Sequence, residues 1–147
     1  MLKGIRLRLF VRKKQTMAKG ITSISTQMND ILTDYNRGVQ EAVEASAKEA
    51  AELCKNQLKN SSPKRAGHGE YARSWTVKVE ETGAGVSDYI VHNKKHYQLT
   101  HLLENGHVIR NKKGTYGRTK PIKHIAPAAD AAIQRFELAT RTRIGKL

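Results

Sequence analysis

Between Thr26 and Lys59 apolar residues return every three or four positions: Ile31, Leu32, Tyr35, Val39, Val43, Ala47, Ala50, Cys54 and Leu58. That spacing sets them on one stripe of an α-helix, and no other feature of the chain restricts its fold as much. Five alanines in the middle (Ala42, Ala45, Ala47, Ala50, Ala51) favour the helix and leave room for a neighbour to approach closely. Gly38 is a weak position, where such a helix is expected to bend or split. Asn60-Ser61-Ser62-Pro63 reads as the stop, and Pro63 to Gly69 as a mobile basic loop.

Beyond the helix the period changes to two. Trp75, Val77 and Val79 alternate with Ser74, Thr76, Lys78 and Glu80, a turn follows at Thr82-Gly83-Ala84-Gly85, and Val86 to His92 makes the return strand. Tyr97 to Asn105 reads as a short helix that offers Tyr97, Leu99, Leu102 and Leu103 for burial. Gly106 stands where a left-handed C-cap is wanted. A third strand is expected at His107–Arg110, a basic turn or loop at Asn111–Lys120, and a short fourth strand at Ile122–Ile125. Pro127 suits the first turn of a last helix whose apolar face is Ala129, Ala132, Ile133 and Phe136. Arg141, Arg143 and Lys146 suit the negative end of that helix.

The expected fold is α+β: a long N-terminal helix, an antiparallel sheet of three to four strands with helices on one face, a short middle helix and a C-terminal helix. A chain of 147 residues is the size of one domain. Residues 1–20 read as a basic, flexible N-terminal arm and residues 21–147 as the domain. Met17, followed by a polar lead-in, is a candidate start, which would make the preceding stretch an upstream extension. The N-terminus lacks the long apolar core of a signal peptide, and no apolar run approaches the roughly 20 residues that span a bilayer. Cys54 is the lone cysteine, so a disulfide framework is excluded and a reducing compartment fits.

Charge narrows the partners. The formal net charge is +14, unevenly placed. From Lys94 to Leu147 twelve Lys or Arg face only Glu104, Asp130 and Glu137, whereas acids slightly outnumber bases between Met28 and Asn60. A field of this kind attracts polyanions. The segment Arg110-Asn111-Lys112-Lys113-Gly114-Thr115-Tyr116-Gly117-Arg118-Thr119-Lys120 suits contact with phosphates that reads no sequence. No helix-turn-helix, zinc finger or RNA-recognition motif is present.

Catalytic patterns are missing. There is no phosphate-binding loop, and Gly83-x-Gly85 lacks the strand-glycine-helix context of a dinucleotide site. Cys54 sits on the apolar stripe and reads as a small buried hydrophobe. His92, His96, His101, Glu104 and His107 lie close in sequence without the spacing of a ligand set. No catalytic residue, metal or cofactor is expected.

One further pattern bears on function. Tyr97-Gln98-Leu99-Thr100-His101-Leu102-Leu103-Glu104-Asn105-Gly106-His107 is followed by the basic glycine-containing loop and then His124-Ile125-Ala126-Pro127-Ala128. This resembles the gene-ten-product family of lambdoid-type tailed phages, the tail-component or tail-completion proteins. That family carries a Tyr-x-Leu-x-His-Leu-Leu-Glu-x-Gly-His core and a downstream Pro-His-Ile-x-Pro-Ala. Gly69 to Val77 is similar to the family's first strand, and the resemblance runs from about Ile21 into the last helix. Lys123 stands where the family usually has Pro, with Pro121 two residues earlier, which would alter the exit of the loop.

The resemblance implies a structural virion protein of the phage neck at the top of the tail, made in the host cytoplasm. It would complete the tail and join it to the head as a homo-oligomeric ring, a hexamer, around the DNA path. The implied neighbours are a head-completion or adaptor protein, the tail terminator and the tail tube, with no membrane. No catalytic residue carries over. Tyr97, Leu99, His101, Leu102, Leu103, Glu104, Gly106, His107, His124 and Pro127 would be structural. Leu99, Leu102 and Leu103 would anchor the short helix, and Glu104 would bond locally with His101 and His107. Arg110, Lys112, Lys113, Arg118, Lys120 and Lys123 would meet double-stranded DNA or an acidic neighbour. The alternative is a free, sequence-independent nucleic-acid-binding protein of phage or prophage origin, which would be absent from particles.

Overall fold

A computed structural model describes the backbone of residues 2–64, 69–83 and 85–147, and side chains from Ser23 onward. The side chains of the expected arm, and residues 65–68 of the expected basic loop, lie outside the described residues. The order is α1 (Leu2–Ser61), α2 (Glu70–Arg73), β1 (Trp75–Glu81), β2 (Ser87–Asn93), α3 (Tyr97–Asn105), β3 (Val108–Asn111), β4 (Gly114–Arg118) and α4 (Ile125–Ile144). This is the α+β class expected from the sequence. The chain divides into a unit ending at Val39 and a second unit, Gln40–Leu147.

Helix α1 continues through Gly38 without a break. In the first unit its apolar side chains Ile24, Met28, Ile31, Leu32 and Tyr35 are exposed. In the second unit its buried row is Ala42, Ser46, Ala50, Cys54 and Leu58, one residue in four, with Ala51 beside it. The apolar pattern had picked Val43 and Ala47 in place of Ala42 and Ser46, and those two are only half-buried. Small side chains decide the difference, because they let a neighbour come close. Ser46 is fully buried because its hydroxyl is satisfied: it donates to the Ala42 carbonyl (2.7 Å) and accepts from Arg143 Nη1 (2.8 Å).

The face of α4 is displaced in the same way. Ala128 and Ala139 are buried and Ala132 packs against the core, but Ile133 is exposed. Arg143 Nη2 and Arg135 Nε each reach Glu49 on α1 at 2.7 Å, so two ion pairs and small residues choose the face over the largest aliphatic side chain. The two arginines are first among the causes that hold the Glu49 carboxyl below its usual range.

The four strands form two separate two-stranded antiparallel sheets, where one sheet of three to four strands was expected. Strands β1 and β2 pair without interruption from Trp75↔Asn93 to Glu81↔Ser87. Glu44 of α1 fastens this hairpin by accepting from the Ser87 N–H (2.8 Å) and the Tyr89 hydroxyl (2.6 Å), which lowers the Glu44 pKa. Strands β3 and β4 pair at Val108↔Arg118, Arg110↔Thr115 and Asn111↔Gly114, so Tyr116 and Gly117 together oppose Ile109, a β-bulge.

Two expectations fail here for identifiable reasons. The Asn111–Lys120 segment supplies strand β4 as well as a turn. Ile122–Ile125 makes no fourth strand, because its backbone donors are already engaged: Ile122 N–H bonds the Leu103 carbonyl (2.8 Å), and those of His124 and Ile125 bond Glu104. The core comprises Cys54, Leu58, Tyr71, Trp75 and Ala128, with Val91, Leu103, Ile125 and Ala132 packed around it. Among the described residues, no helix is long and apolar enough to cross a membrane.

Candidate functional site

The residues singled out in the sequence fall in two places, a closed cluster in the core and an open basic hairpin. In the cluster, Tyr71 of α2, Trp75 at the head of β1 and His124 before α4 meet edge to face. Their ring centroids are 5.8 Å apart for Tyr71–Trp75, 5.7 Å for Tyr71–His124 and 6.4 Å for Trp75–His124. The Tyr71 hydroxyl lies 2.8 Å from His124 Nε2. Burial, reinforced by the negative charge of Glu104, pushes the phenol up to about 12, so it stays protonated and donates. His124 Nδ1 then faces the Ile122 carbonyl (2.7 Å) and Glu104 Oε2 (3.1 Å). Trp75 Nε1 donates to Ser62 Oγ (2.8 Å). Buried Asn93 ties α2 to the end of β2: Nδ2 donates to the Tyr71 carbonyl (2.8 Å), and Oδ1 accepts from Ser74 Oγ (2.6 Å) and the His96 N–H (2.8 Å).

Glu104 joins the last turn of α3 to the first turn of α4. Its carboxylate accepts from the N–H groups of His124 (2.9 Å), Ile125 (3.0 Å) and Ala126 (3.1 Å). Those are donors that a helix start leaves without partners, and His124 at the N-cap offers no side-chain cap of its own. A negative charge there also suits the helix dipole. Burial alone would raise the Glu104 pKa; the three backbone donors and the nearby His124 ring outweigh it and hold the carboxyl below the usual range.

This corrects the local bonding expected between Glu104, His101 and His107. His101 is exposed. His107 closes the base of the second hairpin instead, with its N–H and Nδ1 at 2.8 and 3.0 Å from Thr119 Oγ1 and its carbonyl accepting from the Thr119 N–H (2.8 Å). Gly106 has φ +69° and ψ 161°, an extended positive-φ conformation unlike the left-handed cap expected, and an added Cβ would collide with the Thr119 carbonyl oxygen. Leu103 packs on the core and Leu102 is half-buried, but Tyr97 and Leu99 are exposed. Pro127 lies exposed in the first turn of α4.

The basic residues lie along one hairpin and its exit. Arg110 is on β3, Lys112 and Lys113 form the turn, Arg118 ends β4, and Lys120 and Lys123 follow. All are exposed. Lys123 donates to Asn105 Oδ1 (3.2 Å), and among the described residues none of the six makes an ion pair. No group of three or more His, Cys, Asp or Glu converges among the described residues.

Sequence reasoning missed Asn93, Ser46, Ser62, Glu44 and Glu49, all of which act by satisfying buried or cross-element donors and acceptors. Nothing in a single polar residue between apolar ones announces such a partner. Tyr71 carried a signal, since it lies within Gly69–Val77.

A helical and two-hairpin scaffold, a closed polar joint and a bare basic hairpin suit a protein that holds its shape and meets neighbours. The chain belongs to the family described as "Bacteriophage HK97-gp10, putative tail-component", whose model matches residues 24–106. No curated protein and no solved structure matches the chain. The matched stretch includes Glu104 and Gly106 and stops before His124, so the joint between α3 and α4 extends beyond it.

Proposed function

We propose that this tail component works in the neck, where it completes the tail and joins it to the head as a homo-oligomeric ring around the DNA path. A hexamer is the stoichiometry that the family resemblance favours. Its neighbours on this reading are a head-completion or adaptor protein, the tail terminator and the tail tube. Residues 1–20 act as a basic arm to the domain at 21–147. The observation that carries the reading is the hairpin: six exposed cations without an acidic partner among the described residues, on a member of a tail-component family. Arg110, Lys112, Lys113, Arg118, Lys120 and Lys123 are the contact surface, toward DNA or an acidic protein. Weak contacts that read no sequence suit a duct, because tight binding would hinder DNA passage.

The test is genetic and visual. Loss of the chain should leave filled heads and separate tails in electron micrographs, and the protein should sediment with intact particles. Joined, infectious particles without it would overturn the proposal. The net charge of +14 favours one second reading, a free nucleic-acid-binding protein. That protein would be absent from particles and would shift DNA with a steep dependence on salt.

A further inference from the structure

Among the described residues, two surfaces lack a cover. On α1, Ile24, Met28, Ile31, Leu32 and Tyr35 are each 50 to 68% exposed. Their three-four spacing makes one stripe along Ser23–Val39, about 25 Å of helix at ~1.5 Å per residue. The same spacing continues into Ala42 and Ser46, where α1 is buried in the folded domain. A contiguous apolar stripe of that length marks a contact surface.

The second is the β3–β4 hairpin. Every residue of both strands is exposed, including Val108, Ile109 and Tyr116. The bulge keeps Ile109 and Tyr116 opposite each other. A two-stranded ribbon exposed on both faces is marginally stable in water, so it gains from a partner. At about 15 Å it would span roughly three turns of helix.

Charge matches these two surfaces to each other. On the stripe itself, between Ser23 and Val39, α1 carries Asp30 and Asp34 against Arg37, which pairs with Asp34, whereas Val108–Lys123 carries six cations and no acid. We propose that the stripe between Ile24 and Tyr35 is the seat for the β3–β4 hairpin of a second copy. Each copy then offers a helix to one neighbour and a hairpin to the other. A contact of this head-to-tail kind is the one a ring requires, closing when the rotation between copies completes a circle, whereas a helix-to-helix contact would stop at two copies and set Asp30 and Asp34 against their equivalents. The inference rests on the ring reading above and assigns its interface.

Cysteine cross-linking tests it in particles assembled with the full-length chain. Ile31 and Tyr116 are both exposed, so Ile31→Cys and Tyr116→Cys leave the fold intact, and Met28→Cys with Ile109→Cys is a second pair. Cys54 is buried and its thiol pKa is raised by burial, so it does not compete. With a short bismaleimide, either double variant should give a ladder of multimers on a denaturing gel, and each single variant should stay a monomer. Dimers from Ile31→Cys alone would replace this interface with a helix-to-helix one. No ladder from either pair, with the chain still present in the particle, would overturn the inference and leave the ring standing, the hairpin then being covered by DNA or another protein. Absence of the chain from particles would sink the ring reading as well.

Discussion

Glu104 shows how one side chain can hold two helices together. Three backbone N–H groups at the start of α4 depend on it, so Glu104→Gln should cost about 2 kcal/mol at neutral pH, read as a fall in Tm. The pH dependence follows from the depressed pKa. A carboxyl whose folded pKa lies below its unfolded value adds stability above about 4.5 and loses it as pH falls through the folded value. The gap between wild type and Glu104→Gln should therefore narrow below that pH; a constant gap would remove Glu104 from this role. Glu44 and Glu49 shift in the same direction but are present in both proteins, so they cancel. Gly106 carries a second prediction. Gly106→Ala places a methyl group against the Thr119 carbonyl at φ +69° and should destabilise by at least about 2 kcal/mol. Unchanged calorimetric stability would mean that the junction of α3 and β3 relaxes freely.

Among the elements, the two hairpins have opposite situations. The β1–β2 hairpin is paired along its whole length, and its base enters the core through Trp75 and Asn93. Its far end is tied to α1 through Glu44, which accepts from the Ser87 N–H and the Tyr89 hydroxyl. Glu44→Ala should speed hydrogen exchange at Ser87 and its neighbours on β2, and leave the amides of α4 protected. Equal loss of protection in both places would show that Glu44 supports the whole domain. The β3–β4 hairpin touches the domain at its base, where Thr119 and His107 close it, and its strands are bare. On the proposed reading of the hairpin as a contact surface, substitutions at the tip should alter assembly without altering stability.

For the whole molecule this becomes a direct expectation. Lys112→Glu with Lys113→Glu changes two exposed side chains that pair with nothing among the described residues, so the melting curve should move by no more than about 0.5 kcal/mol. Particle assembly should fail, with heads and tails apart in micrographs. Normal assembly in this variant would take the hairpin turn out of the contact surface. A buried core that, among the described residues, is made largely of alanines, together with many exposed large apolar side chains, fits a protein that completes its burial against neighbours.

Much of this architecture was readable in the residues alone. Periodicity placed α1 from Thr26 onward, the β1–β2 hairpin and α3, because local spacing and turn residues act over a few positions and need no partner. The Tyr97–His107 core pointed to the tail-component family. Pairing over long distances in the chain was not readable. Glu104 acts twenty residues away on His124, Ser46 is buried because Arg143 reaches it, and Ile133 is exposed because Glu49 draws Arg135 and Arg143 and so turns α4. The absence of a strand at Ile122–Ile125 has the same origin, since Leu103 and Glu104 of α3 take donors that such a strand would have used. Local preference decides which segment is helix or strand. Which face is buried depends on satisfying every buried donor and acceptor together, and that condition exists only once the elements have met.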